Sequence, residues 1–280
     1  MWVHILFRAA RARYLGRVPR SQNFFGRPVH GIMKLHKHSR VLLSVIVTLL
    51  PCFVVVADPP GTIEVGQFSA ETEGASVPDG WKPWRFKKID RLTQYVTVRE
   101  DGSVVMRANA DRSASGLIRD VRVNPAEYPF LRWTWKVSNT YVKGDVRSKE
   151  GDDYPARIYL AFEYDPQRLS LLDRAKYGAA KLLYGEAPPL RVLNYIWESK
   201  ALKDTIVSSA YTDWVKMVVA ESGPSLANRW ITERRNVVED YRRAFGEDPG
   251  IITGIAIMTD ADNTGERATA WYGDITLMKH

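Results

Sequence analysis

Alternation of apolar and polar side chains dominates the chain beyond residue 58. In Leu131-Arg132-Trp133-Thr134-Trp135-Lys136-Val137 the odd positions are apolar and the even ones polar, as in a strand with one wet face. Ile158, Leu160, Phe162 and Tyr164 repeat the device. Further strands are predicted at 62–68, 94–99, 103–109, 115–123, 192–199, 212–221, 252–260 and 269–278. Glu100-Asp101-Gly102-Ser103 carries the Asp-Gly signature of a tight hairpin. Short strands with turn-rich joints predict an all-β fold, an antiparallel β-sandwich of jelly-roll-like form with two short helices inserted.

The helices stand out by their period. Asp165-Pro166 offers an N-cap and a first-turn proline, Leu172, Ala175, Ala179 and Leu182 follow helical spacing, and Gly185, Pro188 and Pro189 stop the run. A second helix is predicted from Asn236-Val237-Val238-Glu239, a capping-box pattern, with Val237, Tyr241 and Phe245 stacked before Gly246. Both are expected on the rim or one face of the sandwich.

Upstream, the pattern is different. Residues 41–56, VLLSVIVTLLPCFVVV, form an apolar block interrupted by Pro51, preceded by nine Lys or Arg and no acid, and followed by Ala57 and Asp58-Pro59-Pro60. A basic start, a short apolar stretch and a small residue make up a secretory signal. The block falls short of the ~17–25 residues that span a bilayer. Residues 1–57 are therefore expected to be a cleaved leader, with an uncleaved membrane anchor as the alternative. Residues 58–280 are expected to be a single sandwich domain of a periplasmic or secreted protein. Met33 opens a well-proportioned signal of its own and is the expected true start.

That division changes the charge. The whole chain holds 40 Lys plus Arg against 32 Asp plus Glu. Residues 58–280 hold 31 against 32, so the basic character belongs to the leader. No nucleic-acid partner is expected, and a membrane only through the leader. Cys52 and four of the five histidines also lie in the leader, which leaves His280. Cys-His and Ser-His-Asp nucleophiles are thereby excluded from the exported part, as are His- or Cys-based zinc sites.

Oxygen, guanidinium and aromatic groups remain. Asp260-Ala261-Asp262-Asn263-Thr264-Gly265 has the alternate-oxygen spacing of a calcium loop but carries Trp271 where such a loop needs Glu. It reads either as a β-sandwich Ca2+ site of Asp260, Asp262 and Asp274, or as a turn whose acids cap their own backbone. In Gly151-Asp152-Asp153-Tyr154-Pro155-Ala156-Arg157, Asp152, Asp153, Tyr154 and Arg157 are candidate ligand-binding residues, since Arg suits bidentate contact with carboxylates such as uronic acids. A solvated turn with a structural Arg-Asp pair is the plainer alternative. Asn194, Trp197 and Arg235 complete the candidate ligand set. Trp81, Trp84 and Trp230 are candidate sugar-stacking platforms, whereas Trp133 and Trp135 fall on an apolar face and are expected in the core. Glu163, Glu198, Asp152 and Asp260 are candidate carboxyls for a glycosidase, and Tyr154 or Tyr195 a candidate base for a lyase, with no spacing that selects among them.

GDDYPAR (151–157), LNYIW (193–197), ERRNVVEDYRRAFG (233–246), GIAIMTDADNTG (254–265) and AWYGDI (270–275) together resemble a bacterial exported family, domain of unknown function 3047. The resemblance runs from about Ile63 to Leu277 and transfers no activity. Phe68, the Pro78-Asp79-Gly80-Trp81 segment and the closing YGDITL strand are similar, at the level of fold, to carbohydrate-binding jelly rolls. The expected function is an exported binding module for a polar ligand, carbohydrate above all, with Ca2+ as a candidate support. A polysaccharide lyase or glycosidase on the same scaffold is the first alternative. A periplasmic structural or interaction protein is the second.

Overall fold

The computed structural model describes residues 61–87, 89–184 and 189–280; residues 1–57, expected to be a leader, and the predicted helix stop at Gly185 and Pro188 lie outside these. Thirteen strands run β1 (Thr62–Gly66), β2 (Lys82–Trp84), β3 (Gln94–Glu100), β4 (Ser103–Asp111), β5 (Ala114–Val123), β6 (Phe130–Val137), β7 (Arg157–Phe162), β8 (Val192–Glu198), β9 (Ile206–Ser209), β10 (Thr212–Ser222), β11 (Ile231–Asn236), β12 (Ile252–Asp260) and β13 (Arg267–Met278). Helix α1 (Leu171–Tyr184) follows β7, and α2 (Val237–Phe245) follows β11. All the strands anticipated from alternation are present.

One sheet has six strands in the order β11-β6-β13-β4-β3, with β1 also paired to β13, and the other has seven, β2-β5-β12-β7-β8-β10-β9. From β4 to β7 the chain changes sheet at each strand, which is the sandwich expected. The antiparallel sandwich carries one parallel pair. β8 and β10 are parallel, because β9 first runs down the outer edge and β10 then returns between β9 and β8.

Alternation becomes packing at the inner faces. Trp133 and Trp135 from β6 meet Tyr195 and Trp197 from β8 across the sandwich, with ring centroids 5.2 and 5.8 Å apart. All four are buried. Each large ring removes roughly 150–250 Å² from water, so losing one costs about 3–5 kcal/mol. At the β3–β4 hairpin Asp101 and Gly102 take positive φ (48° and 88°), the geometry the Asp-Gly pair favours in a two-residue turn.

The helices differ from expectation in detail. Asp165 caps a short 3-10 turn, Pro166–Arg168, rather than α1. α1 starts after Ser170, whose hydroxyl accepts from the Asp173 amide and donates to its carboxylate. Leu172 does not face the core; it and Leu171 are exposed. α2 is more deeply placed than a rim helix. Asn236 caps it by accepting from the Val238 and Glu239 amides, Gly246 ends it in the left-handed region, and Val237 and Tyr241 join the main core.

Candidate functional site

Position 157 opens β7, and its side chain points away from the inter-sheet core, onto the outer face of the seven-stranded sheet. Tyr159, two residues on, shares that face, as do Asn194 opposite it on β8 and Met217 on β10. Segment 141–156 lies over this face and is pinned by Val146 and Tyr154 packing on Ile196, Met217 and Val219. Trp84 on edge strand β2 reaches the same surface because Gly116 opposite has no side chain; a Cβ there would stand 2.8 Å from the indole. Trp84 then packs edge-on against Phe86 and Tyr159, at 5.1 and 5.2 Å.

The result is a narrow cleft with Arg157, Asp152 and Asn194 at its polar end and Trp84, Phe86 and Tyr159 as aromatic wall. Its free volume is about 30 Å³, room for roughly one water. Asn194 is buried, and its carbonyl oxygen has no hydrogen-bond partner.

Behind the cleft, two motifs that are 106 positions apart in sequence become one unit. Arg157 pairs in register with Met258, so the β7 entry and the β12 exit meet. The Tyr154 amide donates to Asp260 Oδ1 at 3.2 Å, and Asp153 accepts from the Asn263 and Thr264 amides at 3.3 and 2.5 Å. Arg157 forms an ion pair with Asp260, and both are buried. Tyr154 lays its ring against the guanidinium, 4.8 Å from the centroid, and donates its hydroxyl to Asp152 Oδ1 at 3.1 Å.

Four carboxyls, Asp152, Asp153, Asp260 and Asp262, thus surround one guanidinium where water has little access. Burial pushes Asp152 up to about 6, with Arg157 pulling the other way. Burial, reinforced by the charge of Asp153, pushes Asp262 up to about 6 as well. Asp153 is raised by the same cause and held back by the Thr264 amide. Asp153, Asp260 and Asp262 each bring one oxygen within 4.8 Å of the others. Calcium takes oxygens at about 2.3–2.6 Å, so ligands on opposite sides lie up to about 5 Å apart. The trio has that dimension, and Asp262 Oδ1 is buried without a hydrogen bond.

Of the candidates from sequence, Asp152, Asp153, Tyr154, Arg157, Asn194, Asp260 and Asp262 come together here. Three do not. Asp274 is held by the amide and hydroxyl of Ser69 at 2.8 and 2.6 Å, and Asp153 stands where it was expected. Trp197 is in the core, with its indole N–H donating to Gly223 O. Arg235 grips Asp240 through two nitrogens at 2.9 and 2.8 Å and fastens α2 to β11.

Other expectations are corrected too. Trp81 is buried, and Trp230 is half-buried with its N–H on Asp101 and Lys136 over its ring; Trp84 alone of the three reaches the cleft. Glu198 is spent on backbone amides, those of Val146, Lys200 and Ala201. Glu163 faces Arg122 on the surface. Burial drives the hydroxyls of Tyr154 and Tyr195 well above their ordinary range, with neighbouring Asp152 and Asp240 adding to it, which unsuits both for a base. Trp84, Phe86 and Tyr159 completed the cleft without being anticipated as a group. Of the three, only Trp84 was among the candidates from sequence, as a stacking platform.

Fold and cleft together define a two-sheet β-sandwich with a charged, aromatic-walled site on the outer face of one sheet. Residues 79–276 match the family described as protein of unknown function (DUF3047), and the chain belongs to that family. A search of curated protein sequences finds no match. Among solved structures the chain is similar to the family 11 carbohydrate-binding module of the cellulosomal cellulase Lic26A-Cel5E of Clostridium thermocellum. Identity is 10% and the TM-score 0.38, covering 79% of this chain and 96% of that one. The same organism's family 11 module in complex with a β-1,3-1,4-mixed-linked tetrasaccharide gives 10%, 0.36, 79% and 97%. The glycoside hydrolase domain of Endo-D from Streptococcus pneumoniae R6 gives 11% identity and a TM-score of 0.28, covering 71% of this chain and 21% of that one.

Proposed function

We propose that this protein is an exported binding module for a polar ligand, a carbohydrate, taken at the cleft on the outer face of the seven-stranded sheet. The observation that carries the reading is the meeting of Arg157, Asp152 and the unpartnered Asn194 carbonyl with the rings of Trp84, Phe86 and Tyr159. Sugars ask for that combination: hydroxyls exchange hydrogen bonds with fixed polar groups, and axial C–H groups meet aromatic faces. A ring enters only when a wall draws back, since the free space is small. The basic and apolar leader pattern supports export.

A glycan array with the full chain tests this, followed by calorimetry on any hit. Trp84→Ala is expected to weaken binding at least about tenfold, as the loss of a stacking partner implies. A blank array would overturn the reading.

In this proposal the Asp153–Asp260–Asp262 trio takes a calcium ion that offsets the excess of carboxylates, in competition with the Arg157–Asp260 pair. Calcium should raise the melting temperature at pH 7, and a chelator should reverse the rise. No shift would remove the ion and leave the cleft's role standing. One observation favours an enzyme as second reading: Asp152 lines the cleft with its carboxyl near 6, suited to acid–base work in a glycosidase or lyase. New reducing ends or unsaturated products from bound glycans would establish it.

A further inference from the structure

On the other side of β10 a second, wider cavity opens, with about 660 Å³ of free space, within the ~300–1,000 Å³ usual for ligand sites. Its walls come from the start of α1, the segment before β8, the end of α2 and β10. Thr212 lines both this groove and the cleft, so the two meet at the start of β10.

The groove's chemistry is cationic and aromatic. Arg168, Lys176, Arg191 and Lys216 line it, against Asp173 and Asp213. Arg191 is held rigid: its guanidinium lies 4.0 Å from the Tyr164 ring centroid and 5.0 Å from that of Phe245, and Nε donates to Glu247 at 2.8 Å. Lys216 is different, because among the described residues its ammonium forms no ion pair. It donates to Ser208 Oγ at 2.7 Å and lies 5.8 Å over Phe245. Trp214 stands beside it in the lining, with the Tyr177 ring steeply inclined to it at 73° and the centroids 6.1 Å apart. A cation without a carboxylate, next to an indole, in a cavity of ligand size, calls for an anion carried on a ring.

We infer that the groove is the subsite for acidic sugars: the ligand is a uronate-bearing oligosaccharide whose chain runs from the cleft past Thr212, with a carboxylate on Lys216 and a ring on Trp214. The inference rests on the carbohydrate-binding reading and names the class of sugar.

Calorimetry on the full chain, with an oligogalacturonate and a neutral gluco-oligosaccharide of equal length, tests it. The acidic chain should bind about tenfold more tightly, the scale of one added charge-assisted contact. Lys216→Gln should bring the ratio of acidic to neutral affinity close to one, and Lys216→Arg should keep it. Raising salt from about 50 to about 500 mM should erode the preference as well, since the groove is open to solvent. Equal affinity for the two sugars, or a preference indifferent to Lys216→Gln, would overturn the groove's role while the cleft reading stands. Binding of neither sugar would overturn the groove's role, and a blank glycan array the cleft reading with it.

Discussion

With four carboxyls around it, the guanidinium of Arg157 cannot be removed without leaving negative charge where water does not reach. Arg157→Met is therefore expected to cost about 3–5 kcal/mol, the penalty for orphaning a buried charge, read as the unfolding free energy in urea. Asp152→Asn acts in the other direction, and its effect depends on pH. The folded protein holds the Asp152 proton up to about pH 6, whereas the unfolded chain releases it near 4. The folded state thus binds more protons over that window. Its stabilisation is complete below about pH 4 and is lost as pH rises through 6, by roughly 3 kcal/mol at most. Melting curves from pH 4 to 8 should show Asp152→Asn losing part of this decline. An unchanged slope would mean that Asp152 does not titrate as its burial dictates. Much of this was legible in the sequence as residue types: the GDDYPAR and DADNTG runs announced an acid–arginine site. What the chain order hid was that they are one site, because only the β7–β12 pairing joins them. Asp274 misled for the same reason, since a neighbouring strand supplied a plausible third acid while the acid that lies beside Asp260 and Asp262 comes from the loop before β7.

At the scale of the element, alternation revealed strands with one apolar face and missed those without. β2 is only three residues long and includes a proline, and β9 is four residues at an edge. β11, Ile231-Thr232-Glu233-Arg234-Arg235-Asn236, sends Glu233 and Arg235 toward the interior, so its period is written in charges rather than in hydrophobes. α2 was legible because its end signals are local: Asn236 caps the first turn and Gly246 closes the last. Asn236→Ala should cost about 1 kcal/mol by freeing two amides, and Asn236→Asp should recover most of it, as measured by urea unfolding. A loss no greater than that of a neutral surface change would show that tertiary contacts of Tyr241 alone hold the helix. Those contacts are real: Tyr241 meets Phe162 at 4.8 Å and Phe245 at 4.7 Å.

The two sheets are also tied by charge, which no pattern along the chain could reveal. Lys203, in the connection from β8 to β9, reaches Glu221 on β10 at 3.2 Å and Glu233 on β11 at 3.4 Å, one carboxylate from each sheet. Both carboxylates are buried, and burial pushes Glu233 up to about 7 despite the ammonium beside it. Protonation and the lysine are then two ways of meeting the same need. Below about pH 6, Glu233 carries its own proton, and the lysine is left with its contact to Glu221. Above about pH 7.5 Glu233 is ionised as well, and Lys203 is the cation that faces it. Lys203→Met should therefore lower the melting temperature less at acid pH, and progressively more as pH rises through 7. Glu233→Gln, which makes the proton's work permanent, should restore much of the loss at high pH in the double variant. If Lys203→Met lowered stability equally at pH 5.5 and pH 8, the lysine would be acting through the packing of its stem and not through charge. The pH profile separates the two, because only the electrostatic latch follows the ionisation of Glu233.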